Sequence, residues 1–404
     1  MPAEFKLATL LTTLGREGPG AAQGTGFVNP PLVRGSTVLH PDVAEMRERV
    51  RRSASGDDRG PVTYGIFGTP THRAFLEAMT ALEGGFRSWA LPSGLSACTT
   101  AILAFVTQGD HVLVPDSAYG PTRDFCRETL PRYGVEASFY DPRIGAALET
   151  QFRPRTRLLF LESPGSLTFE VQDVPLLAHI ARRHGAVSVI DNTWATPLYF
   201  QPLRHGVDVS VHAVTKYIGG HADLLLGTIT ASEACAAPLR AMVRSLGLHV
   251  SPDDCWLALR GLRSLEARLA RHRATAERLM DWLAQQPEVE RVLHPTRPED
   301  PGHELWRRDF CGASGVFGVA LRAQVGPRAL AALLDGTRLF GRGYSWGGFE
   351  SLMIPTYPQR SVAMPAGAGP LIRISAGLEH TDDLQADLED GFVRLRRAMA
   401  GETG

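Results

Sequence analysis

The sequence lacks the features that mark several large classes of protein. Its five cysteines, Cys98, Cys126, Cys235, Cys255 and Cys311, are odd in number, widely spread and form no C-x-x-C pair. That argues against a disulfide framework or a zinc ribbon, and for thiols in a reducing compartment. Charge of neither sign prevails, since 42 Lys and Arg face 43 Asp and Glu and the formal net charge is −1. There is no global positive field to gather nucleic acid or an anionic membrane. No apolar run reaches the length of a membrane span. The opening Met1-Pro2-Ala3-Glu4-Phe5-Lys6 lacks the basic stretch and long apolar run of a signal peptide. The expectation is a cytoplasmic protein with no metal site, whose partners are small molecules or other protein chains. Lysine is also scarce against many arginines, which gives each lysine more weight.

What is present suffices for a large core. A chain of 404 residues, 44% hydrophobic and 21% charged, predicts two domains. Residues 1–62 mix Gly, Pro and short apolar stretches and end in the polar run 51–60, which reads as an arm with a solvated loop. From 63 to about 260, helical patterns alternate with the strand candidates Ser88–Leu91, His111–Val114, Leu158–Leu161, Val187–Ile190, Val207–Val211 and Leu224–Thr230. Several are apolar on both faces, as expected when helices cover a mostly parallel sheet. One long helical stretch runs from Asp253 to Leu283. Residues 261–404 then carry the strands Gly315–Leu321 and Leu371–Ser375 and helices at 327–334 and 381–398, a smaller α+β domain.

In an open α/β sheet ligands bind where strands end and helices begin, and four such turns carry chemistry. Ser93-Gly94-Leu95 follows a strand and opens a helix running to about Thr107; its free amides can donate to phosphate, although a plain helix cap explains it as well. Tyr119 follows the strand at 111 and offers a face for a planar ring, or is a partly buried surface tyrosine. Asp191 closes an apolar strand, where a carboxylate needs a partner such as a protonated pyridine nitrogen, a helix amide or an arginine. Thr215-Lys216-Tyr217 follows the next strand and precedes Gly219-Gly220, a setting in which a lysine can lose proton affinity and bond an aldehyde. An Asp191 strand followed by a Lys216 strand is what pyridoxal-phosphate chemistry needs.

Longer strings carry a family resemblance from about Thr63 to Phe392. They are Tyr64-Gly65-Ile66-Phe67-Gly68-Thr69-Pro70-Thr71, Leu161-Glu162-Ser163-Pro164-Gly165-Ser166, Ile190-Asp191-Asn192-Thr193-Trp194, Thr215-Lys216-Tyr217 with Gly220-His221-Ala222-Asp223, Tyr344 to Leu352, and Leu371 to Glu379. The chain resembles the Cys/Met-metabolism pyridoxal-phosphate enzymes, most closely their cystathionine β-lyase branch. The resemblance implies a fold-type I, aspartate aminotransferase-like architecture and a homotetramer built from dimers that share active sites. It also implies that Lys216 bonds pyridoxal 5'-phosphate, Asp191 pairs with the ring nitrogen and Tyr119 stacks on the ring. Ser93, Gly94, Leu95 and Thr215 would hold the phosphate, joined by Tyr64 from a neighbouring subunit, and Arg373 the substrate carboxylate.

Where the family often has an arginine two residues after the tyrosine, this chain has Ile66, and where a serine commonly stands three residues before the lysine it has Ala213. The branch rests on Tyr344-Ser345-Trp346, read as a wall of the substrate site. The implied reaction is β-elimination: Tyr119 accepts the substrate amine's proton, Lys216 removes the Cα proton, and the thiolate leaves from Cβ. The alternatives are γ-chemistry on the same scaffold, a broader cysteine-S-conjugate β-lyase and a catalytically silent homologue. A nucleotide-binding protein lacks its glycine fingerprints here.

Overall fold

Apolar strands that end in polar residues set the architecture. The computed structural model describes residues 5–16, 26–56, 62–362 and 369–401. The expected loop at 57–60 and the first four residues lie outside the described residues. The strands are β1 (Arg87–Leu91), β2 (His111–Pro115), β3 (Glu136–Tyr140), β4 (Thr156–Glu162), β5 (Val187–Asp191), β6 (Val209–Ala213), β7 (Gly227–Ala231), β8 (Val289–Leu293), β9 (Val316–Leu321), β10 (Leu352–Thr356) and β11 (Leu371–Ser375). The first seven form one sheet in the order β1-β7-β6-β5-β4-β2-β3, and the last four form a second, β10-β11-β9-β8. From β3 to β6 the large sheet is parallel, and β7 runs against both its neighbours. The small sheet is antiparallel throughout.

Helices cover both faces of the large sheet, so its central strands are apolar on alternate residues in both directions. On one face Val112, Phe160, Val189 and Val211 pack with Ala97 and Ile102 of the helix Gly94–Leu103 and Leu239 of the helix Glu233–Ser245. On the other, Leu159, Leu161 and Ile190 pack with Leu177 and Ile180 of the helix Val174–Arg183. The small sheet buries Phe317, Val319 and Ile372 against the helices Leu265–Leu283, Pro327–Asp335 and Thr381–Met399. Among the described residues no helix is long and apolar enough to cross a membrane.

Three strands, β3, β8 and β10, were not expected, and all three lie at sheet edges. Edge strands carry polar residues and tolerate proline, which blurs their pattern; β10 holds Pro355. The single helix expected from Asp253 to Leu283 is two, Pro252–Arg263 and Leu265–Leu283. The chain turns at Ser264, whose hydroxyl takes a hydrogen bond from Arg268 Nε at 3.0 Å. The boundary expected at residue 260 falls inside the first of these helices. Arg51 and Arg52, expected in a loop, close the helix Val43–Ala54, which Asp42 caps by accepting from the Glu45 amide at 2.8 Å. The helix opened at Gly94 ends at Leu103 instead of Thr107.

Candidate active site

Parallel strands in register bring their last residues side by side. Glu162 ends β4 beside Asp191 at the end of β5, and Asp191 lies beside Val211 of β6. The chain leaving β6 turns at once: the Lys216 amide donates to Ala213 O at 3.0 Å, and the Gly220 amide to Lys216 O at 2.7 Å. The turn is pinned by Arg268, a buried guanidinium that donates to the carbonyls of Tyr217 and Gly261 at 2.7 and 2.8 Å. Gly220 has φ +73°, and a Cβ there would lie 2.0 Å from Arg268 Nη1, so only glycine serves.

Lys216 points its amine at the small sheet. Its Nζ donates to Ser345 Oγ at 2.6 Å and lies 5.5 Å from the centre of the Trp346 ring. Burial first and then the Arg373 charge draw the amine down to about 8, with Asp191 acting against both. Arg373, on β11, donates from Nη2 to Ser345 O at 2.7 Å. Ser345 thus holds the lysine with its side chain and the arginine with its backbone, and it does so at φ +80°, a conformation unusual outside glycine. Burial also draws the Arg373 guanidinium down to about 10. Trp346 packs on Tyr217, ring centres 5.3 Å apart.

Asp191 uses its two oxygens unequally. Oδ1 accepts from the Thr193 amide at 3.0 Å and from the Thr193 hydroxyl. Oδ2 takes only the weak Cys98 thiol, 3.7 Å away. Glu162, buried beside it, accepts from the Tyr119 amide at 2.7 Å. Burial first and then the Asp191 charge hold the Glu162 carboxyl well above the usual carboxylate range. The half-exposed Tyr119 phenol is raised by burial, Asp191 and Glu162, with Arg373 opposing.

The residues expected at a phosphate are more heavily committed elsewhere. Ser93 caps the helix Gly94–Leu103, its Oγ accepting from the Ser96 amide at 3.0 Å. Thr215 Oγ1 donates to Leu226 O at 3.3 Å and accepts from Leu226 N at 3.0 Å. Gly94 packs on the end of β6, where a Cβ would come within 2.4 Å of Ala213 Cβ. That contact brings the helix start, where the Gly94 and Leu95 amides precede the helix's own bonds, against the strand that leads to Lys216. Tyr64 and Tyr344 are 50% and 90% exposed. Ile66 lines a separate groove of about 830 Å³ that includes none of Lys216, Asp191 and Arg373.

The groups present suit pyridoxal phosphate: an amine lowered towards neutrality that donates to a serine hydroxyl, a carboxylate with one lightly used oxygen, and a helix start beside the lysine strand. Four residues that touch these groups had been assigned no role: Thr193, Glu162, Cys98 and Arg268. The spacing of Thr193 two residues after a strand-ending aspartate was the one signal available, since Asp and Thr there commonly bond locally.

A family profile described as Cys/Met metabolism PLP-dependent enzyme matches residues 11–393. A protein of Rhizobium johnstonii, provisionally named a cystathionine beta-lyase, is 50% identical over 373 residues, which cover 91% of this chain and 92% of that protein. The cystathionine beta-lyase MetC of Escherichia coli is 41% identical over 400 residues, covering 97% of this chain and 100% of that one. Among solved structures, cystathionine gamma-lyase from Lactobacillus plantarum, complexed with L-serine, superposes with a TM-score of 0.85 at 26% identity, over 97% of this chain and 100% of that chain. The fold-type I expectation is met: a large, mostly parallel sheet is joined to a smaller antiparallel one.

Proposed function

The chain belongs to the Cys/Met-metabolism pyridoxal-phosphate-dependent enzymes, and from that premise we propose that it is a carbon–sulfur β-lyase acting on L-cystathionine. The observation that carries the reading is the Lys216–Ser345–Arg373 arrangement: an amine lowered to about 8 beside a guanidinium, backed by Trp346. When bound, the cofactor supplies an electron sink for negative charge at the substrate's Cα.

Lys216 would hold the cofactor through its aldehyde, and its amine, whose lowered proton affinity suits a base near neutral pH, would take the Cα proton. Asp191 Oδ2 is the oxygen that would meet the ring nitrogen. Arg373 grips the α-carboxylate through its planar fork. Ser345 holds the Lys216 amine on the substrate side, and Trp346 walls off the Cβ–S bond. Tyr119 would stack on the ring; its phenol, raised by burial, Asp191 and Glu162 and lowered by Arg373, would take the substrate amine's proton only as the phenolate. The Gly94 and Leu95 amides would hold the phosphate together with Tyr64 of a neighbouring subunit, and Ser93 and Thr215, whose hydroxyls already serve the helix cap and the Leu226 backbone, would stand beside it. With water added, the products are homocysteine, pyruvate and ammonia.

The same proposal carries an arm at 1–62, domains at 63–260 and 261–404, a homotetramer of active-site-sharing dimers, and a cytoplasmic location. It is supported by the family, by the names of the relatives, and by the balance of charge. The test is product analysis with L-cystathionine. Equal amounts of pyruvate and homocysteine are expected; 2-oxobutyrate and cysteine would replace the β-lyase reading with γ-elimination.

A further inference from the structure

Asp191 and Lys216 stand on different strands, yet one side chain touches the carboxylate and the backbone that leads to the lysine. Thr193 Oγ1 accepts the Ala213 amide hydrogen at 2.8 Å. An amide nitrogen can only donate, so this bond occupies a lone pair of the hydroxyl, whose own hydrogen must go elsewhere. It goes to Asp191 Oδ1, which also takes the Thr193 amide at 3.0 Å. Ala213 O in turn accepts the Lys216 amide at 3.0 Å. This run of hydrogen bonds ends at Ala213, whose carbonyl, in the next peptide group, holds the Lys216 amide, so the Asp191 carboxylate is tied to the residue from which the lysine turn departs.

Two further features give the run a purpose. Thr193 is buried, 7% exposed, so water does not readily replace its hydroxyl. Its two donations both fall on Oδ1, which leaves Oδ2 to a distant thiol and available to a ring nitrogen. The far end of the run, Ala213, is also the residue against which Gly94 packs, so one hydroxyl steadies the carboxylate, the lysine turn and the seat of the phosphate-facing helix.

We propose that Thr193 is a positioning residue for the cofactor: its hydroxyl fixes which Asp191 oxygen meets the ring nitrogen and holds the end of β6 at the spacing that Lys216 needs. This rests on the reading that the site binds pyridoxal phosphate. The test removes the hydroxyl and keeps the shape. Cofactor is stripped from the holoenzyme with a carbonyl-trapping amine, and its dissociation constant is measured on re-addition by quenching of tryptophan fluorescence. The pH at which the visible band of the bound cofactor changes is followed alongside.

Thr193→Val should raise the dissociation constant about tenfold or more, as expected for loss of a hydrogen bond to a charged group, and should move the spectral transition. Thr193→Ser, which keeps the hydroxyl and drops the methyl, should stay within about twofold of the parent, well inside the hydrogen-bond effect. A valine variant that binds and titrates like the parent overturns the proposal. So does a serine variant as weak as valine, because packing and not the hydroxyl would then be responsible. If the valine variant does not fold, serine against alanine decides in the same way. A parent that binds cofactor and shows the visible band, but releases no pyruvate from cystathionine, would sink the lyase reading and leave this proposal standing.

Discussion

The ring end and the phosphate end of the candidate site differ in how far one chain completes them. At the ring end, Lys216, Asp191, Ser345 and Arg373 are joined by bonds of 2.5 to 3.0 Å, directly or through Thr193 and Ala213, across strands of both sheets. At the phosphate end, Ser93 and Thr215 already spend their hydroxyls on the Ser96 amide and the Leu226 backbone. Tyr64 and Ile66 lie apart at the surface. On the proposed reading, the difference teaches that the groups that would orient the ring are already joined within one chain, while grip on the phosphate would be left to the amides at Gly94 and Leu95 and, in the proposed assembly, to a neighbouring subunit.

The largest effect should come from the ring end. Lys216→Met is expected to abolish the visible absorbance of bound cofactor and to cut pyruvate release by about a thousandfold or more, the scale of losing a general base. The same change should stabilise the cofactor-free protein. The buried amine falls from its ordinary 10.5 to about 8, so the unfolded chain holds its proton more firmly than the folded one. The cost of burying the charge is therefore complete below pH 8 and gone above about 10.5. Removing it should raise stability by on the order of 3 kcal/mol at neutral pH and by nothing at high pH. Thermal melting of the two apoproteins across that range checks the sign, and equal melting at pH 7 would contradict it.

A smaller effect is expected at the phosphate end. Ile66→Arg offers a charge-assisted donor where the family often has one, and should tighten cofactor binding about tenfold. An unchanged dissociation constant would mean that residue 66 of a neighbouring chain does not reach the phosphate. The smallest effect belongs to Ser93→Ala. Loss of the helix cap should lower stability by about 1 kcal/mol, with cofactor affinity moving less than threefold. A large loss of affinity would show that the hydroxyl serves the phosphate more than the helix.

The sequence was legible where function sits at the ends of buried strands. Asp191 and Lys216 stood out because a charged residue closing an apolar run needs a reason, and the Asp191 charge acts on the Lys216 amine. Ser93 read equally well as a helix cap or an anion site, and its cap bond is present. Thr193 and Glu162 were passed over because their importance lies in contacts across strands, to Ala213 and to Tyr119, which no local pattern announces. Arg268 was hidden among the many arginines of its helix, and only its burial against the lysine turn distinguishes it. The missed strands β3, β8 and β10 are edges, where one unpaired side relaxes the demand for apolar, proline-free sequence.

One chemical experiment reaches the cofactor anchor itself. Only two lysines occur in the chain, Lys6 and Lys216, so borohydride reduction of the holoenzyme followed by peptide mapping leaves little ambiguity. The expected result is a phosphopyridoxyl mass on the peptide that contains Lys216 and none on the peptide with Lys6. An unmodified Lys216 peptide from protein saturated with cofactor would contradict the account.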